Sequence, residues 1–486
     1  MQPEHTRALR LAAHASDRGE MSLLAHLASQ HIALTVNPSR PADLAAAELL
    51  AANLARLPIH LSIETNGLRA AVRERLERAA NTTTASAAER ASTPLQRPSL
   101  RVHVGPGGDA DLFAAASHHG AVFGADPVDG TRPASGLGAV ICAALASGEA
   151  FKRITLIRPD RMLLHDQLVW CPVTLGGHPE SVPVAERLPD LDVALIGLGA
   201  VGTAVARILG LLGARGRASL VDPERFAVEN VGTYSLGDGN DAQQHSWKTE
   251  LVRRALPGMT VESQEMPVGE FIERVDDGRA RWPALAITGL DSVDARRDAQ
   301  MLWPDRLLDA ATGDTMCGLH DIGPADRACL RCLFAVPTAG PDAAQRLADH
   351  TGLDPTVLRH GDQPLREDHV AHLDDARRSR LLPQVGKPIC GLAQATGLTD
   401  RPSDDYRPSV PFVSQQAACL AVGRMIAARL GLDGATFVQY DALIGPHAGT
   451  FDRHEPVPSC YCQRRSDLVD RLRTLRAANL HQQPES

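Results

Sequence analysis

Three glycines and one acidic residue form the first group whose spacing predicts chemistry. Gly197, Gly199 and Gly202 follow the G-x-G-x-x-G pattern, directly after a short apolar run that suits a buried parallel strand. An apolar helix follows as far as Leu212, and a second apolar run ends in Asp222, twenty residues after Gly202. Such a turn lets the backbone approach a phosphate at a helix N-terminus, and the acid can accept hydrogen bonds from ribose hydroxyls. The stretch predicts a β-α-β nucleotide site and leaves the nucleotide open.

Three charged residues further along the chain extend this site to phosphates and a cation. Asp291 follows a predicted strand at residues 283–288, at the sheet edge where ligands of open α/β folds lie. A carboxylate beside a nucleotide is most simply a Mg²⁺ ligand, and Lys248 and Arg296 can neutralise phosphates. Taken singly, each is more often a solvated surface charge. Their common position at strand ends favours the site.

Two close pairs of cysteines predict a metal centre. Cys329 and Cys332 form the first pair, and Cys460 and Cys462 form the second. Four thiolates satisfy tetrahedral Zn²⁺ and leave no open position, so the predicted role is structural. The C-x-C spacing of the second pair is tighter than the usual C-x-x-C. Four buried or unpaired thiols are the alternative.

Length and composition limit the class of protein. The chain has 486 residues, a formal net charge of −8 and nine cysteines. The acidic balance argues against nucleic acid as the main partner. No apolar run reaches the length of a bilayer span and the N-terminus lacks a signal-peptide core, so we expect a cytoplasmic protein without a membrane partner. The cysteines predict metal ligands or reactive thiols rather than a disulfide framework.

Apolar runs of strand and helix length alternate through both halves, which predicts an α/β fold. The second half is predicted to carry the glycine turn on a mostly parallel, Rossmann-like sheet. The first half has no intact glycine fingerprint and is predicted to be degenerate, structural or regulatory, with a phosphate loop at residues 105–108 as the alternative. We expect helices at 7–29, 42–54, 68–79, 136–151, 247–256 and 411–430, and strands at 57–63, 100–105, 119–125, 218–221, 283–288, 306–312 and 436–442.

Together these motifs resemble the ThiF/MoeB/HesA superfamily, whose members use ATP to adenylate the C-terminus of ubiquitin-like proteins. Besides the glycine turn and its acid, the asparagine of the family's S-N-L-x-R-Q signature falls on Asn230. The family's helix lysine falls on Lys248, and its D-N-x-x-x-R signature falls on Asp291 and Arg296. The sequence ACLRCLF at residues 328–334 nearly reproduces the family's PCLRCLF, and in the family the four cysteines hold zinc. The resemblance therefore implies ATP, Mg²⁺ and Zn²⁺.

Two departures from the family pattern affect the phosphate site. The Arg-Gln of the first signature is replaced by Thr233 and Tyr234, so a phosphate-contacting arginine must come from elsewhere, with Arg207 and Arg225 as candidates. The asparagine of the second signature is replaced by Ser292. Neither change removes the metal-binding acid, and we expect activity.

The resemblance, which covers about residues 190–465, extends to the domain order. Eukaryotic ubiquitin-activating enzymes pair an inactive adenylation domain with an active one, and this chain looks like such a tandem, similar to activating enzymes of bacterial antiphage conjugation systems. The resemblance implies a homodimer or a pseudo-dimeric monomer. The predicted division is a degenerate domain at 1–185, the active domain at 186–335, an inserted helical lobe at 336–386, a segment with the catalytic cysteine and the remaining zinc ligands at 387–465, and a helical tail at 466–486.

Cys390 is the predicted nucleophile. In family members that form thioesters, a cysteine follows the zinc region and precedes a long helix, and Cys390 occupies that place. A thiolate attacking an acyl-adenylate gives a transferable thioester, and Lys387 can lower the thiol pKa. A buried, inert cysteine is the alternative. Cys317 and Cys171 rank behind Cys390 as nucleophiles, and Cys142 and Cys419 are predicted to belong to the core.

Four functions remain open from the sequence. The first is activation of a ubiquitin-like protein ending in glycine, followed by thioester formation and transfer to a conjugating-enzyme-like partner. The second is an adenylyltransferase for a sulfur carrier or small peptide that stops at the acyl-adenylate. An NAD(P)-dependent oxidoreductase is disfavoured by the paired cysteines and by the signature at Asp291 and Arg296. A non-catalytic scaffold would explain the loss of the Arg-Gln pair.

Overall fold

The computed structural model describes residues 3–16, 18–64, 67–81, 97–129, 132–155, 164–184, 190–323, 327–334, 343–358, 363–387, 389, 392, 396, 410–432 and 434–480. The chain divides into two compact units, of which one comprises Met1–Phe334 with Pro408–Ser486 and the other Ala335–Arg407. Within the described ranges, every helix is too short or too polar to span a membrane.

The first half of the chain forms a six-stranded sheet. Its strands are β1 (His31–Val36), β2 (His60–Ile63), β3 (Leu100–Val104), β4 (Leu112–Ser117), β5 (Gly120–Gly124) and β6 (Gln167–Trp170). They lie in the order β2-β1-β3-β4-β5-β6. The first four strands are parallel, and β5 is antiparallel to both of its neighbours.

The second half forms an eight-stranded sheet. Its strands are β7 (Leu191–Ile196), β8 (Gly216–Val221), β9 (Met259–Gln264), β10 (Leu285–Thr288), β11 (Arg306–Gly313), β12 (Met316–Ile322), β13 (Phe437–Asp441) and β14 (Thr450–Asp452). They lie in the order β14-β13-β12-β11-β10-β7-β8-β9. The five strands from β11 to β9 are parallel, and the other three pair antiparallel.

Helices connect and cover these strands. The described helices are α1 (Pro3–Ser16), α2 (Glu20–Ala28), α3 (Pro41–Leu54), α4 (Ala70–Ala80), α5 (Gly136–Thr155), α6 (Ala200–Leu211), α7 (Val228–Val231), α8 (Gly239–Gln243), α9 (Lys248–Ala255), α10 (Val268–Asp276), α11 (Val293–Gln300), α12 (Leu330–Leu333), α13 (Ala343–Thr351), α14 (Pro355–Leu358), α15 (Glu367–Val370), α16 (Asp375–Leu381), α17 (Pro411–Arg429), α18 (Tyr461–Arg464) and α19 (Ser466–Leu480). Short 3₁₀ turns lie at Pro179–Ser181, Leu382–Gln384 and Pro446–Ala448.

The second sheet repeats the strand order of the first. The order β2-β1-β3-β4-β5-β6 corresponds to β8-β7-β10-β11-β12-β13 with the same parallel and antiparallel pairs, while β9 and β14 extend the two edges. The helices repeat as well, since α3 and α6 follow the first strand of each half and α5 and α17 precede the last shared strand. Helix α5 packs on α3 and α17, and α17 packs on α6. These four helices join the two halves.

The start of α3 differs from the glycine turn that follows β7. The loop after β1, which carries Asn37, and the loop after β3, which carries Gly105, approach closely here. A Cβ on Gly105 would lie 2.8 Å from the carbonyl oxygen of Asn37. The helix begins after Arg40, whose guanidinium donates to both carboxylate oxygens of the fully buried Asp43 at 2.7 and 2.8 Å. The same guanidinium donates to the Ala116 carbonyl at 3.0 Å. The Arg40–Asp43 ion pair therefore occupies the N-terminus of α3.

The smaller unit, Ala335–Arg407, has its own apolar cluster. The charged sequence of this segment predicts helices without a core, and the structure does show short helices, α13 to α16. Their apolar side chains nevertheless pack together, because each helix has one or two that face its neighbours. The fully or nearly fully buried ones include Leu353, Leu365, Leu381, Ile389 and Leu392.

The predicted α/β fold with a mostly parallel, Rossmann-like sheet and a preceding α/β domain is confirmed. The helix expected at residues 7–29 is two helices, α1 and α2. The sequence pattern does not predict six of the strands, which are β1, β4, β6, β9, β12 and β14. The sequences of β4 and β12, LFAAAS and MCGLHDI, carry alanines or polar breaks instead of an apolar strand pattern, and β9 is a half-exposed edge strand. Residues of β1 gave no clear pattern because the strand is buried along most of its length.

A buried amide pair connects α3 to α17 across the two halves. The Asn53 amide nitrogen donates to the Gln415 side-chain oxygen at 2.8 Å, and the Gln415 nitrogen donates back at 3.0 Å. Asn53 also donates to the Ser147 hydroxyl at 3.0 Å, and Gln415 donates to the Ser235 hydroxyl at 3.3 Å. The network is buried, so the loss of one member leaves its partner without a hydrogen bond.

We expect Asn53→Ala and Gln415→Ala each to lower the free energy of unfolding by about 1–3 kcal/mol, the cost of leaving a buried polar partner unsatisfied. The double variant should lose less than the sum, because both changes remove the same pair. Urea unfolding followed by circular dichroism measures these values. The exposed Gln244→Ala is the matched control and should change the free energy by less than about 0.5 kcal/mol. Strictly additive losses would contradict a shared network.

Candidate functional site

The glycine turn lies where the strand order of the second sheet reverses. From β7 the chain moves outward on one side through β8 and β9, and then crosses to the other side through β10 and β11. The chain therefore leaves the carboxyl ends of β7 and β10 toward opposite sides of the sheet, which leaves a crevice beyond the point where the two loops touch at Gly197 and Gly289. In open α/β sheets, ligands bind in the crevice at this position.

At two of the three glycine positions another part of the backbone lies too close to leave room for a Cβ, so only glycine fits. Gly197 has φ +79°, and a Cβ there would lie 2.9 Å from the Gly289 carbonyl oxygen in the loop after β10. A Cβ on Gly202 would lie 2.2 Å from the carbonyl oxygen of Gly197. Gly199 is different: it caps α6 in an extended conformation, and the nearest atom to its Cβ position is the Tyr234 hydroxyl at 3.5 Å. Space therefore lies over Gly199, at the start of the helix.

Asp222 holds the glycine turn from the end of β8. One carboxylate oxygen accepts a hydrogen bond from the Leu198 amide at 2.7 Å, and the other accepts from the Glu224 amide at 2.9 Å. The side chain is 5% exposed, and burial raises the pKa of Asp222 despite the nearby Lys248 charge. Each oxygen retains a second lone pair. The predicted hydrogen bonds to ribose hydroxyls are compatible with this geometry and stay a prediction.

Lys248 begins α9 and points into the same region. Its ammonium pairs with the carboxylate of Glu224, and Nζ lies 5.3 Å from the ring centroid of Tyr234. Burial opposes the charged form, yet the neighbouring phenol and two carboxylates raise the pKa of Lys248 above its usual value. The site thus holds a buried, permanently charged ammonium. Glu224 was not singled out from the sequence, although its position two residues after Asp222 is a usable signal.

Asn230 shapes the segment between β8 and α9. Its side-chain oxygen accepts a hydrogen bond from the Ala227 amide at 2.9 Å and closes the first turn of α7. The following Thr233 and Tyr234 are buried. The asparagine therefore has a structural role in this conformation, and its predicted contact with the nucleotide is untested.

Asp291 and Arg296 lie on the loop and helix after β10. Asp291 is exposed and available to a cation. Arg296 donates through Nε and Nη2 to the Leu290 carbonyl at 3.0 and 2.8 Å, which fixes the backbone directly before Asp291. Its Nη1 lies 3.7 Å from the fully buried Asp309 carboxylate, which sequence reasoning missed. Ser292, in place of the family's asparagine, caps α11 by accepting from the Ala295 amide.

Neither arginine considered as a substitute phosphate ligand is placed to act as one. Arg207 lies eight residues beyond Gly199, about 12 Å along the helix axis. Arg225 stacks on the Trp247 ring with its guanidinium carbon 3.8 Å from the centroid, and it donates to the His245 carbonyl at 2.8 Å. Lys248 and Arg296, on α9 and α11, remain as the predicted cations of the site.

The two cysteine pairs converge. Neighbouring sulfurs lie 3.7 Å apart for Cys329 and Cys332, 3.6 Å for Cys329 and Cys460, and 3.5 Å for Cys332 and Cys462. Four sulfurs bound at about 2.3 Å to a central tetrahedral ion would be about 3.8 Å apart, close to these values. The Val457 amide also donates to the Cys332 sulfur at 3.4 Å, which favours a thiolate. The donor set and its spacing fit Zn²⁺.

The remaining described cysteines are inaccessible. Cys142, Cys171, Cys317 and Cys419 are all buried, and burial raises the thiol pKa of Cys142, Cys317 and Cys419. Such thiols are poor nucleophiles. Cys390 lies outside the described residues.

These features define a class first: an α/β protein with a crevice at the switch point of its second sheet and a four-cysteine cluster whose spacing fits Zn²⁺. Residues 177–453 match the model of the ThiF family. The match covers more than half of the 486 residues, and the chain belongs to the ThiF family.

Solved structures of MccB from E. coli are similar to part of the chain. The complex of MccB with MccA-N7isoASN has 13% identity and a TM-score of 0.36, covering 56% of this chain and 66% of that one. The complex with SeMet MccA has 14% identity and a TM-score of 0.38, covering 60% and 71%. The complex with ATP has 14% identity and a TM-score of 0.34, covering 56% and 65%. The chain thus spans about two thirds of MccB. No curated protein matches it.

The space over Gly199 gives a direct test of nucleotide binding. Gly199→Ala should leave the fold intact, yet it should weaken ATP binding at least about tenfold, because the methyl group blocks the approach of a phosphate to the helix N-terminus. Equilibrium titration with MgATP measures the dissociation constant, and thermal unfolding checks the fold. Gly269→Ala, with no atom within 4 Å of its Cβ position, is the matched control. Unchanged ATP affinity in Gly199→Ala would remove the turn from the binding site.

Proposed function

We propose that this protein adenylates the C-terminal carboxylate of a ubiquitin-like protein that ends in glycine. Membership of the ThiF family supports ATP use and adenylation. The observation that carries the proposal is the meeting, at one switch point, of the glycine turn, Asp222 and the buried ammonium of Lys248 with the loop that carries Asp291.

In the proposed reaction, the glycine turn and Lys248 hold the phosphates of ATP. A carboxylate oxygen of the substrate's terminal glycine attacks the α-phosphorus, the bond from that phosphorus to the bridging oxygen breaks, and pyrophosphate leaves. The fixed charge of Lys248 is already in place before reaction, so it stabilises the developing negative charge without reorganisation. Arg296 holds the backbone beside Asp291, which keeps this acid at the crevice.

Two metals are part of the proposal. Asp291 would hold Mg²⁺, which when bound neutralises phosphate charge. Cys329, Cys332, Cys460 and Cys462 would hold Zn²⁺ in a structural role. These cysteines would connect the segment after β12 with the segment after β14, which are about 130 residues apart in sequence.

The second proposed step takes place at Cys390. Its thiolate attacks the carbonyl carbon of the acyl-adenylate, AMP leaves, and the resulting thioester passes to a conjugating-enzyme-like partner. The burial of Cys142, Cys171, Cys317 and Cys419 supports Cys390, because these four thiols are inaccessible. Without this step, the enzyme would be an adenylyltransferase for a sulfur carrier or a small peptide.

The repeated strand order supports a pseudo-dimeric monomer in which the first half is an inactive adenylation-like domain. The ion pair of Arg40 and Asp43 at the start of α3 supports that assignment, because it lies where the second half has its glycine turn. We place the enzyme in the cytoplasm, in a bacterial antiphage conjugation system. Protection of cells against phage infection, lost on removal of this gene, would support that setting.

Pyrophosphate exchange tests the adenylation step. The purified protein should exchange labelled pyrophosphate into ATP only when a ubiquitin-like protein with a C-terminal glycine is present. Asp291→Asn should lower the exchange rate on the order of 100-fold through loss of the metal-binding charge. The exposed Asp467→Asn, on α19, is the control and should keep the wild-type rate. Exchange that persists in Asp291→Asn would exclude this acid as the metal ligand.

The thioester step separates the two candidate functions. With ATP and the ubiquitin-like protein, the wild-type chain should form an adduct that thiol reductants cleave, and Cys390→Ala should abolish the adduct while pyrophosphate exchange continues. Cys171→Ala is the control and should retain the adduct. Non-reducing gel electrophoresis reads the outcome. An adduct that survives Cys390→Ala, or no adduct in the wild type, would favour the enzyme that stops at the acyl-adenylate.

A further inference from the structure

Tyr234 occupies the place where the family has the glutamine of its Arg-Gln pair. Its backbone lies in the segment between α7 and α8, and its side chain is only 6% exposed. The preceding Thr233 is fully buried, and its hydroxyl donates to the Asn230 carbonyl at 3.3 Å. Of the two replacements, Tyr234 is the one whose polar atom reaches the nucleotide crevice.

The hydroxyl of Tyr234 points at the glycine turn. It lies 3.5 Å from the position that a Cβ would take on Gly199, and it is the nearest atom to that position. This is the side of the turn on which a phosphate approaches the backbone at the helix N-terminus. A phosphate oxygen bound there would lie within reach of the phenol.

The ring of Tyr234 is held firmly in this orientation. Phe226 packs against it edge to face, with centroids 5.5 Å apart. From the turn just after α3 of the first half, the buried Arg56 donates to the Tyr234 carbonyl at 2.9 Å and to the Val231 carbonyl at 2.8 Å. Ser235, the next residue, receives a hydrogen bond from Gln415 at 3.3 Å. Backbone and ring are therefore fixed before any ligand binds, which reduces the entropy cost of using the hydroxyl.

The charge around Tyr234 suits a hydrogen-bond donor to an anion. Burial raises the pKa of Tyr234, so the phenol keeps its proton at neutral pH. The Lys248 ammonium lies beside the ring, 5.3 Å from its centroid. A neutral O–H and a positive ammonium thus face the same side of the glycine turn. Hydrogen bonds from such a donor to a charged acceptor are stronger than neutral ones.

We propose that Tyr234 is a phosphate ligand of the nucleotide site, donating its hydroxyl to a phosphate oxygen of ATP beside Lys248. This assignment rests on the proposed function, since it takes ATP as the ligand. It explains how the site binds phosphates without the family's Arg-Gln pair and without Arg207 or Arg225. The proton stays on the phenol, and no bond to phosphorus forms or breaks there.

Tyr234→Phe tests the assignment, because it removes the hydroxyl and keeps the ring against Phe226. Equilibrium titration should show MgATP binding weakened about tenfold to a hundredfold, the range for loss of a hydrogen bond to a charged group. Affinity for adenosine, measured by competition, should be unchanged because adenosine has no phosphate. Tyr440→Phe is the matched control. Tyr440 is buried in β13, three strands away from β10, and its hydroxyl has no hydrogen-bond partner among the described residues.

Three results would decide the matter. Unchanged MgATP affinity in Tyr234→Phe, with wild-type binding intact, would overturn the assignment and leave the proposed function standing. Equal losses for ATP and adenosine would also overturn it, because they would show a purely structural role in shaping the crevice. Failure of the wild-type protein to bind MgATP at all would instead refute the proposed function, and the assignment with it.

Discussion

The loop after β7 and the loop after β10 approach so closely that a side chain on Gly197 or on Gly289 would meet the backbone of the other loop. A Cβ on Gly197 would lie 2.9 Å from the Gly289 oxygen, and one on Gly289 would lie 3.2 Å from the Gly197 oxygen. This contact sets the width of the crevice between β7 and β10, and it brings Asp291 to the same edge as the glycine turn. Asp222 and Tyr234 both meet the turn that this contact fixes, Asp222 at the Leu198 amide and Tyr234 beside Gly199.

The first half of the chain contributes rigidity to the site in the second half. Arg56 binds two carbonyls of the segment that carries Tyr234, and Asn53 binds Gln415, which in turn reaches Ser235. Buried hydrogen bonds of this kind are costly to leave unmade, so they specify one arrangement of the segment. The first half has the Arg40–Asp43 ion pair where the second half has its glycine turn. It can therefore still shape the site in the second half.

Much of the site could be predicted from the sequence because its residues carry local signals. A strand, a glycine turn and a terminal acid are contiguous from Gly197 to Asp222, and cysteine pairs have a recognisable spacing. Contacts between distant segments had no such signal. The hydrogen bond from Arg56 to the Tyr234 carbonyl joins residues 178 positions apart. The proximity of Asp309 to Arg296 follows only from the pairing of β10 with β11, which a linear sequence does not show. Strands β4 and β12 were missed because alanine, glycine and polar residues interrupt the apolar pattern on which strand prediction depends.

The duplicated strand order has a consequence for how this chain tolerates change. In a symmetric dimer of identical subunits, one substitution alters two copies of a site and both sides of the interface at once. Here the two copies are encoded separately, so the α3 end of the first sheet can hold the ion pair of Arg40 and Asp43 while the α6 end keeps its glycines. The strand-end loops of the two halves can therefore differ while their packing stays constrained, because α5 and α17 must still fit each other.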